Sequence, residues 1–432
     1  MYRKVLFITC FCFCSFEMWP QQAANRITLK EAEDLALKNH PQILAAEDEV
    51  SIAGQQVVEA RAAYYPSIAV DLTGAQGNPN SRIGAGFFTT SRLFDRFGQG
   101  ITVNQLITDS GRTQNLVASS RLQLQSSQQT YQATRYGVLL AVNQAYYGVL
   151  RAQALIKVAE KTVAARQLLS NQVTELARNN LKSQLDVSFA DVNLADAQLL
   201  LLRSQDNVEQ ANAELSRALG TDREVNYEPV EEDQPPSPPA KSDELTAQAL
   251  QNRPELTSLR LSAQSANRFY QAEKDLKRPN VNLLGVAGGL PVVNQLGSSQ
   301  IPAEYEGVAV NVQFPVFNGH LFSARAEAAR YQANAAEQRL RDEQLRIARD
   351  VRVAWSNSVN AYRRLDVTAQ YLREAALAQN LAQGRYNLGL ASIIELSQAQ
   401  LNVTTAEIEN LSAKYDYQAL YAGLQYAIGQ LR

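Results

Sequence analysis

The sequence predicts a mainly α-helical chain with a small β portion suited to crossing a membrane, built as two copies of one helix–strand–strand–helix unit. Three observations carry that prediction. The chain is visibly duplicated, it holds two helical patterns of about 68 residues without a proline, and it holds four strands of about ten residues with unlike faces.

The first element is not part of the fold. Residues 1–24 read as an export signal, with Arg3 and Lys4 ahead of the apolar run Val5–Phe16, which is too short to span a bilayer as a helix. Gln22-Ala23-Ala24 is the expected cleavage site, and a lipoprotein acylated at Cys10 or Cys14 is the alternative. With Cys12, these are the only cysteines, so the chain beyond them has no thiol for a disulfide, a metal or a nucleophile. No later stretch approaches about 18 uninterrupted apolar residues, which excludes a helical inner-membrane protein. An exported chain of this kind suits the periplasm or outer membrane of a Gram-negative cell. With 45% apolar and 19% charged residues the chain is foldable, and a net charge of −2 offers nucleic acid no basic footprint.

The two copies align when His40-Pro41 is set against Arg253-Pro254. Leu37 then meets Leu250, Asn39 meets Asn252, Ala53 meets Ala266 and Pro66 meets Pro279. Further on, NLKSQLDV (180–187) faces GLASIIEL (389–396), and Ala218-Leu219-Gly220 faces Ala427-Ile428-Gly429. The first repeat covers 25–233 and the second 243–432. Between them the Pro-rich segment 234–242 reads as a stiff surface linker.

Each copy opens with a helix, over 28–63 and over 243–276, closed by Pro66 and Pro279. Strands follow at 66–76 and 279–288, and again, after Gly-rich loops, at 100–108 and 307–316. Long helices are expected over 111–178 and 320–386, each roughly 100 Å long at 1.5 Å per residue. No compact domain holds such a helix, so a coiled-coil or tubular assembly is implied. The remaining helix of the first repeat, over 186–219, is about half that length.

The strands alternate strictly. Ile68, Val70 and Leu72 oppose Ala69, Asp71 and Thr73; Ile101, Val103 and Ile107 oppose Thr102 and Asn104; Val308, Val310 and Val312 oppose Ala309, Asn311 and Gln313. One face suits lipid and the other water, and about ten residues is the length a tilted strand needs to cross a membrane. Four strands are too few to enclose a lumen, and lipid does not tolerate an open sheet edge, so several chains must share one barrel. The alternative is an ordinary sheet, half buried on a soluble core.

At this point the sequence resembles the TolC family of outer-membrane efflux and secretion channels. ALKNHPQI with the following ARAAYYPSI, RYNLGLASIIEL and the duplicated order of elements carry the resemblance, which spans nearly the whole chain after the signal. It implies a homotrimer with a 12-strand barrel and a long α-helical tunnel. It also implies a passive duct without cofactors, coupled to a periplasmic adaptor and an inner-membrane transporter.

By the same resemblance, the turns around Asn180, Leu181 and Ser183 and around Gly389, Leu390 and Ser392 are the periplasmic tip that docks the adaptor. Asn180 departs from the glycine common at such turns. The resemblance also places Asp186, Tyr386 and Glu395 at a periplasmic gate, where a ring of acids would attract cations and raise the acids' pKa values. Gln398 stands where a second acid can occur, and Glu395 reads equally as a solvated helix carboxylate. His40 and His320 flank turns and do not form a metal-binding pattern, and no catalytic motif appears, so no enzyme is expected. The aromatic loop from Gly86-Phe87-Phe88 to Phe97 is expected outside the barrel or at its interface. The rival function is a periplasmic coiled-coil scaffold that never inserts in lipid.

Overall fold

The computed structural model describes residues 25–75, 82–85, 88–92, 96–222, 226–239, 241–289 and 304–431. The export signal with its cysteines, and residues 86–87 and 93–95 of the aromatic loop, lie outside the described residues. The duplication is exact in helix length. Helices α1 (Leu29–Asn39) and α5 (Ser242–Asn252) have 11 residues, and α2 (Pro41–Ala62) and α6 (Pro254–Asp275) have 22. Helices α3 (Arg112–Arg178) and α7 (Leu321–Asn387) have 67, and α4 (Gln184–Ala218) and α8 (Ile393–Ala427) have 35.

The single helices expected over 28–63 and 243–276 are each two helices, broken at His40-Pro41 and Arg253-Pro254. A proline pushes the residue before it out of the helical region, and His40 (φ −68, ψ 122) and Arg253 (φ −71, ψ 122) are both extended. Pro41 and Pro254 then start the next helix, where the missing N–H has no partner to lose. Each break receives the end of another helix. Gly220 (φ 71) ends α4 so closely that a Cβ on it would stand 2.7 Å from the His40 Cα. Gly429 (φ 72) ends α8, and a Cβ there would stand 3.0 Å from the Asn252 Cβ.

One core cluster joins Ile347 and Val351 of α7 to Leu245 of α5, Leu256 of α6 and Leu424 of α8, and the largest lies around the middle of α3. Val142, Tyr146 and Val149 pack with Ala32 and Ala36 of α1 and with Leu215 and Leu219 at the end of α4. The Tyr146 hydroxyl donates to the carbonyls of Val230 (2.7 Å) and Ile27 (3.1 Å). Those carbonyls flank a parallel pair formed by β1 (Asn25–Ile27) and β6 (Tyr227–Pro229). Three residues per strand are too few to show alternation, so no pattern along the chain announces this pair. The Pro-rich linker is strapped down: Trp355 Nε1 donates to the Pro239 carbonyl at 2.8 Å, and the Tyr417 hydroxyl donates to the Pro236 carbonyl. Prolines have no N–H but keep a carbonyl, so side-chain donors on α7 and α8 satisfy them.

The sheet is antiparallel throughout, in the order β2 (Ser67–Ala75), β5 (Arg96–Thr108), β7 (Asn280–Gly289), β8 (Glu304–Gln313). Between β2 and β5 lies a hairpin of β3 (Arg82–Ala85) and β4 (Phe88–Arg92). Strand β8 stops at Gln313, ahead of Pro315, which cannot donate to a ladder. Strand β5 begins earlier than expected and carries a bulge between Leu106 and Thr108, which leaves Ile107 unpaired. The register puts Ile68, Val70, Ile101, Val103, Leu283, Val308 and Val310 on one face. Asp71, Thr102, Asn104, Asn282 and Asn311 share the other. Both edge strands, β2 and β8, lack a partner on their outer side within the sheet.

Candidate functional site

At the end of the molecule far from the sheet, α3 turns into α4 and α7 turns into α8. Both turns are built alike. In the first, Asn180 N–H donates to the Ala177 carbonyl at 2.9 Å and Leu181 N–H to the Leu176 carbonyl at 2.8 Å. In the second, Gly389 N–H donates to Tyr386 at 3.0 Å and Leu390 N–H to Arg385 at 2.8 Å. This is the Schellman arrangement, which satisfies the last carbonyls of a helix and needs one left-handed residue. Gly389 (φ 73) supplies it in one tip and Asn180 (φ 56) in the other. Asparagine tolerates that region better than most side chains, so the departure at Asn180 preserves the turn.

One residue further on, Leu181 and Leu390 project into solvent, 69% and 66% exposed. Ser183 and Ser392 face inward to their own helices as N-caps. Ser183 Oγ accepts from the Asp186 N–H at 3.1 Å, and Ser392 Oγ accepts from the Glu395 N–H at 3.2 Å. Asp186 and Glu395 therefore occupy the same N3 position of their helices, as the repeat alignment requires.

The side chains of these acids behave differently. The Asp186 carboxylate turns back and accepts from the Ser183 hydroxyl (2.8 Å) and N–H (3.0 Å), completing a capping box. Those hydrogen bonds, the hydroxyl's first, hold its pKa below the usual carboxylate value, the direction opposite to that of a crowded acid ring. Glu395 instead meets Arg385 Nε at 3.3 Å across the tip. Gln398 donates to Asn402 on its own helix.

Tyr386 is only 7% exposed, packed with Leu169, Val173, Val187 and Leu396. The Lys182 ammonium stands 4.3 Å from its ring centroid, within cation–π range. Burial, and then the Asp186 charge, raise the pKa of its hydroxyl, which has no hydrogen-bond partner among the described residues. The structure thus gathers Asp186, Lys182 and Tyr386 on one side of the tip and Glu395 with Arg385 on the other. Sequence reasoning missed Arg385 and Lys182. Their signal was a basic residue beside each tip motif, with nothing to show which acid or ring it would reach.

The two histidines have local roles. His40 Nδ1 accepts from the Gln42 N–H at 3.2 Å and caps α2. His320 (φ 66) follows Gly319 (φ 62) in the left-handed turn that leads into α7.

The outer membrane efflux protein family matches residues 33–221 and 245–430, nearly all of both repeats. The chain belongs to that family. Among curated relatives, the outer membrane protein TolC of Vibrio cholerae is 26% identical over 431 residues, covering 93% of this chain and 91% of the relative. The alkaline protease secretion protein AprF of Pseudomonas aeruginosa is 25% identical over 440 residues, covering 97% and 88%. Among solved structures, the CmeC outer membrane channel of Campylobacter jejuni superposes with a TM-score of 0.82 at 17% identity, covering 93% of this chain and 85% of that one.

This efflux-family chain is an outer-membrane exit duct. The scaffold that never enters lipid is not favoured.

Proposed function

We propose that three copies of this chain close one 12-strand barrel and one helical tunnel, the passive outlet of a tripartite efflux pump or a type I secretion system. The observation that carries the reading is a lipid-length, four-stranded sheet with an apolar face and two open edges. Its strands alternate in direction, so β2 and β8 run oppositely, and β8 of one copy can pair with β2 of the next without breaking the antiparallel pattern. A periplasmic adaptor and an inner-membrane transporter supply substrate and energy. The adaptor's helices dock at the tips, where Leu181 and Leu390 offer apolar knobs on the turns set by Asn180, Gly389, Ser183 and Ser392. Asp186, Tyr386 and Glu395 form the gate, with Arg385 holding Glu395 while it is shut.

The test is the mass of the detergent-extracted particle, by light scattering with the detergent subtracted. Three chains per particle are expected, and a monomer in the soluble periplasmic fraction would refute the shared barrel. Val103→Lys and Val310→Lys, which put a charge on the lipid face, are expected to block outer-membrane assembly. Normal assembly of both variants would remove the lipid-facing assignment.

A further inference from the structure

Toward the end of the sheet away from the helices, one cross-strand row has an unusual composition. Gly100 of β5 pairs with Gly288 of β7, which pairs on its other side with Tyr305 of β8, and Asp71 of β2 closes the row. All four share the polar face with Thr102, Asn104 and Asn311. The Tyr305 side chain lies down across both glycines. An ideal Cβ on Gly100 would stand 2.5 Å from Tyr305 Oη, and one on Gly288 would stand 2.6 Å from Oη and 2.7 Å from Cζ. No side chain fits at those distances. Neither glycine has a positive φ, so close neighbours are what require them to lack a side chain: the ring at Gly100, and the ring together with the Gln99 carbonyl at Gly288. Gly100 is buried in a sheet whose neighbouring residues are mostly exposed.

We propose that this two-glycine shelf keeps the Tyr305 ring flat against the wall of the channel near its outer mouth, so that the ring does not narrow the passage for large cargo. The proposal rests on the channel reading of the strand faces. In a trimer three rings stand at one level of the lumen. Lying flat, each takes only its thickness from the passage; lifted off its shelf, each would take its length. An aromatic ring over cross-strand glycines also covers exposed backbone, so the arrangement is stable as it stands.

Gly100 is the position to change, because a Cβ there meets at close range only the far end of the tyrosine. One on Gly288 would also meet the Gln99 carbonyl. The only cysteines, at positions 10, 12 and 14, lie outside the sheet, so a single Asn311→Cys deeper on the same face serves as a reporter. Cells carrying the full chain are labelled from outside with water-soluble maleimides of graded size.

Gly100→Val is expected to abolish labelling by the larger reagents and keep it for the smallest, and Gly100→Val with Tyr305→Ala to restore the original cut-off. Tyr305→Ala alone is expected to leave the cut-off nearly unchanged. An unchanged cut-off in Gly100→Val, or a loss that persists in the double variant, overturns the proposal. So does a marked widening by Tyr305→Ala alone. If Gly100→Val does not assemble, Gly100→Ala applies the same test by lifting the hydroxyl end. Failure of the channel reading looks different: Val310→Cys on the opposite face would then label from water while Asn311→Cys would not, before any change at Gly100.

Discussion

Helices α3 and α7 have the same length, 67 residues, and equivalent places in the two repeats, but opposite surroundings. Helix α3 is embraced by α2, α4, α6 and α8, and buries large side chains such as Val138, Leu139, Tyr146, Tyr147 and Leu150. Helix α7 touches α5, α6 and α8, and half of its buried positions are alanines: Ala326, Ala329, Ala333, Ala361, Ala375 and Ala382. Tyr331, Leu345, Val353, Val367, Leu377 and Leu381 of α7 stay exposed. Hydrophobic stabilisation scales with buried apolar area, so one copy draws its largest core cluster from α3 and leaves much of α7 unused. In the trimer reading, α7 is a wall that the neighbouring copy completes.

The largest expected effect is at the centre of α3. Val142 is 0% exposed, and Val142→Asp buries an unpaired carboxylate at a cost on the order of 4 kcal/mol. Val367→Asp on α7, where the valine is 67% exposed, is expected to change the stability of the single chain by less than about 0.5 kcal/mol. Guanidinium unfolding followed by circular dichroism measures both. A loss at Val367 as large as that at Val142 would show that a partner covers α7.

Tyr146→Phe comes next. It leaves the Val230 carbonyl without that donor inside the core, while the Ile27 carbonyl keeps the Val230 N–H, an expected loss of about 1–3 kcal/mol by the same unfolding assay.

The ends of the two helices sharpen the comparison further. Gly389→Ala forces a side chain into the left-handed region and is expected to cost about 1–2 kcal/mol, seen as a lower melting temperature. Asn180→Gly is expected to be neutral or slightly stabilising, since the turn already tolerates that conformation. Equal losses for both would mean that the two tips are not equivalent turns.

The smallest effect concerns the two helix breaks. Burial, and secondarily the Arg217 charge, hold the His40 pKa below its ordinary value of 6.5. The unfolded chain therefore takes up the proton first as pH falls. The stability due to neutral His40 is complete above the unfolded pKa and is lost progressively as pH drops from there toward the folded one. His40→Asn, which keeps a capping side chain, is expected to reduce the fall in melting temperature between about pH 7.5 and pH 5.5. A slope unchanged in the variant would assign the acid sensitivity to other groups.

Much of this was legible in the residues. Proline-free 3.6-residue patterns located α3 and α7 to within a residue or two, because a helix that long has no competitor for its pattern. Period-two alternation located three of the strands and the repeat located the fourth, and the alignment of Asp186 with Glu395 placed them at equivalent cap positions. The helix breaks were written in Pro41 and Pro254 but were read only as helix starts. The β1–β6 pair was not legible, because its pairing spans about 200 residues and the side chains that hold it, Tyr146 and Gln153, come from a third element, α3. The tip was legible as a motif and not as a site. That Asp186 folds back on Ser183 while Glu395 reaches Arg385 depends on side-chain geometry that identical spacing does not distinguish.

The duplication, the lengths of the helices and strands, and which face of three of the strands suits lipid can be read from the residues alone. These follow from local period and from prolines and glycines at fixed places. Packing in three dimensions settles which of two equal helices carries the larger core cluster, how each acid at the tip is held, and that Tyr305 lies on Gly100 and Gly288. Each of these depends on contacts between residues far apart in the chain, and a pattern along one strand or one helix carries no record of what will lie across from it.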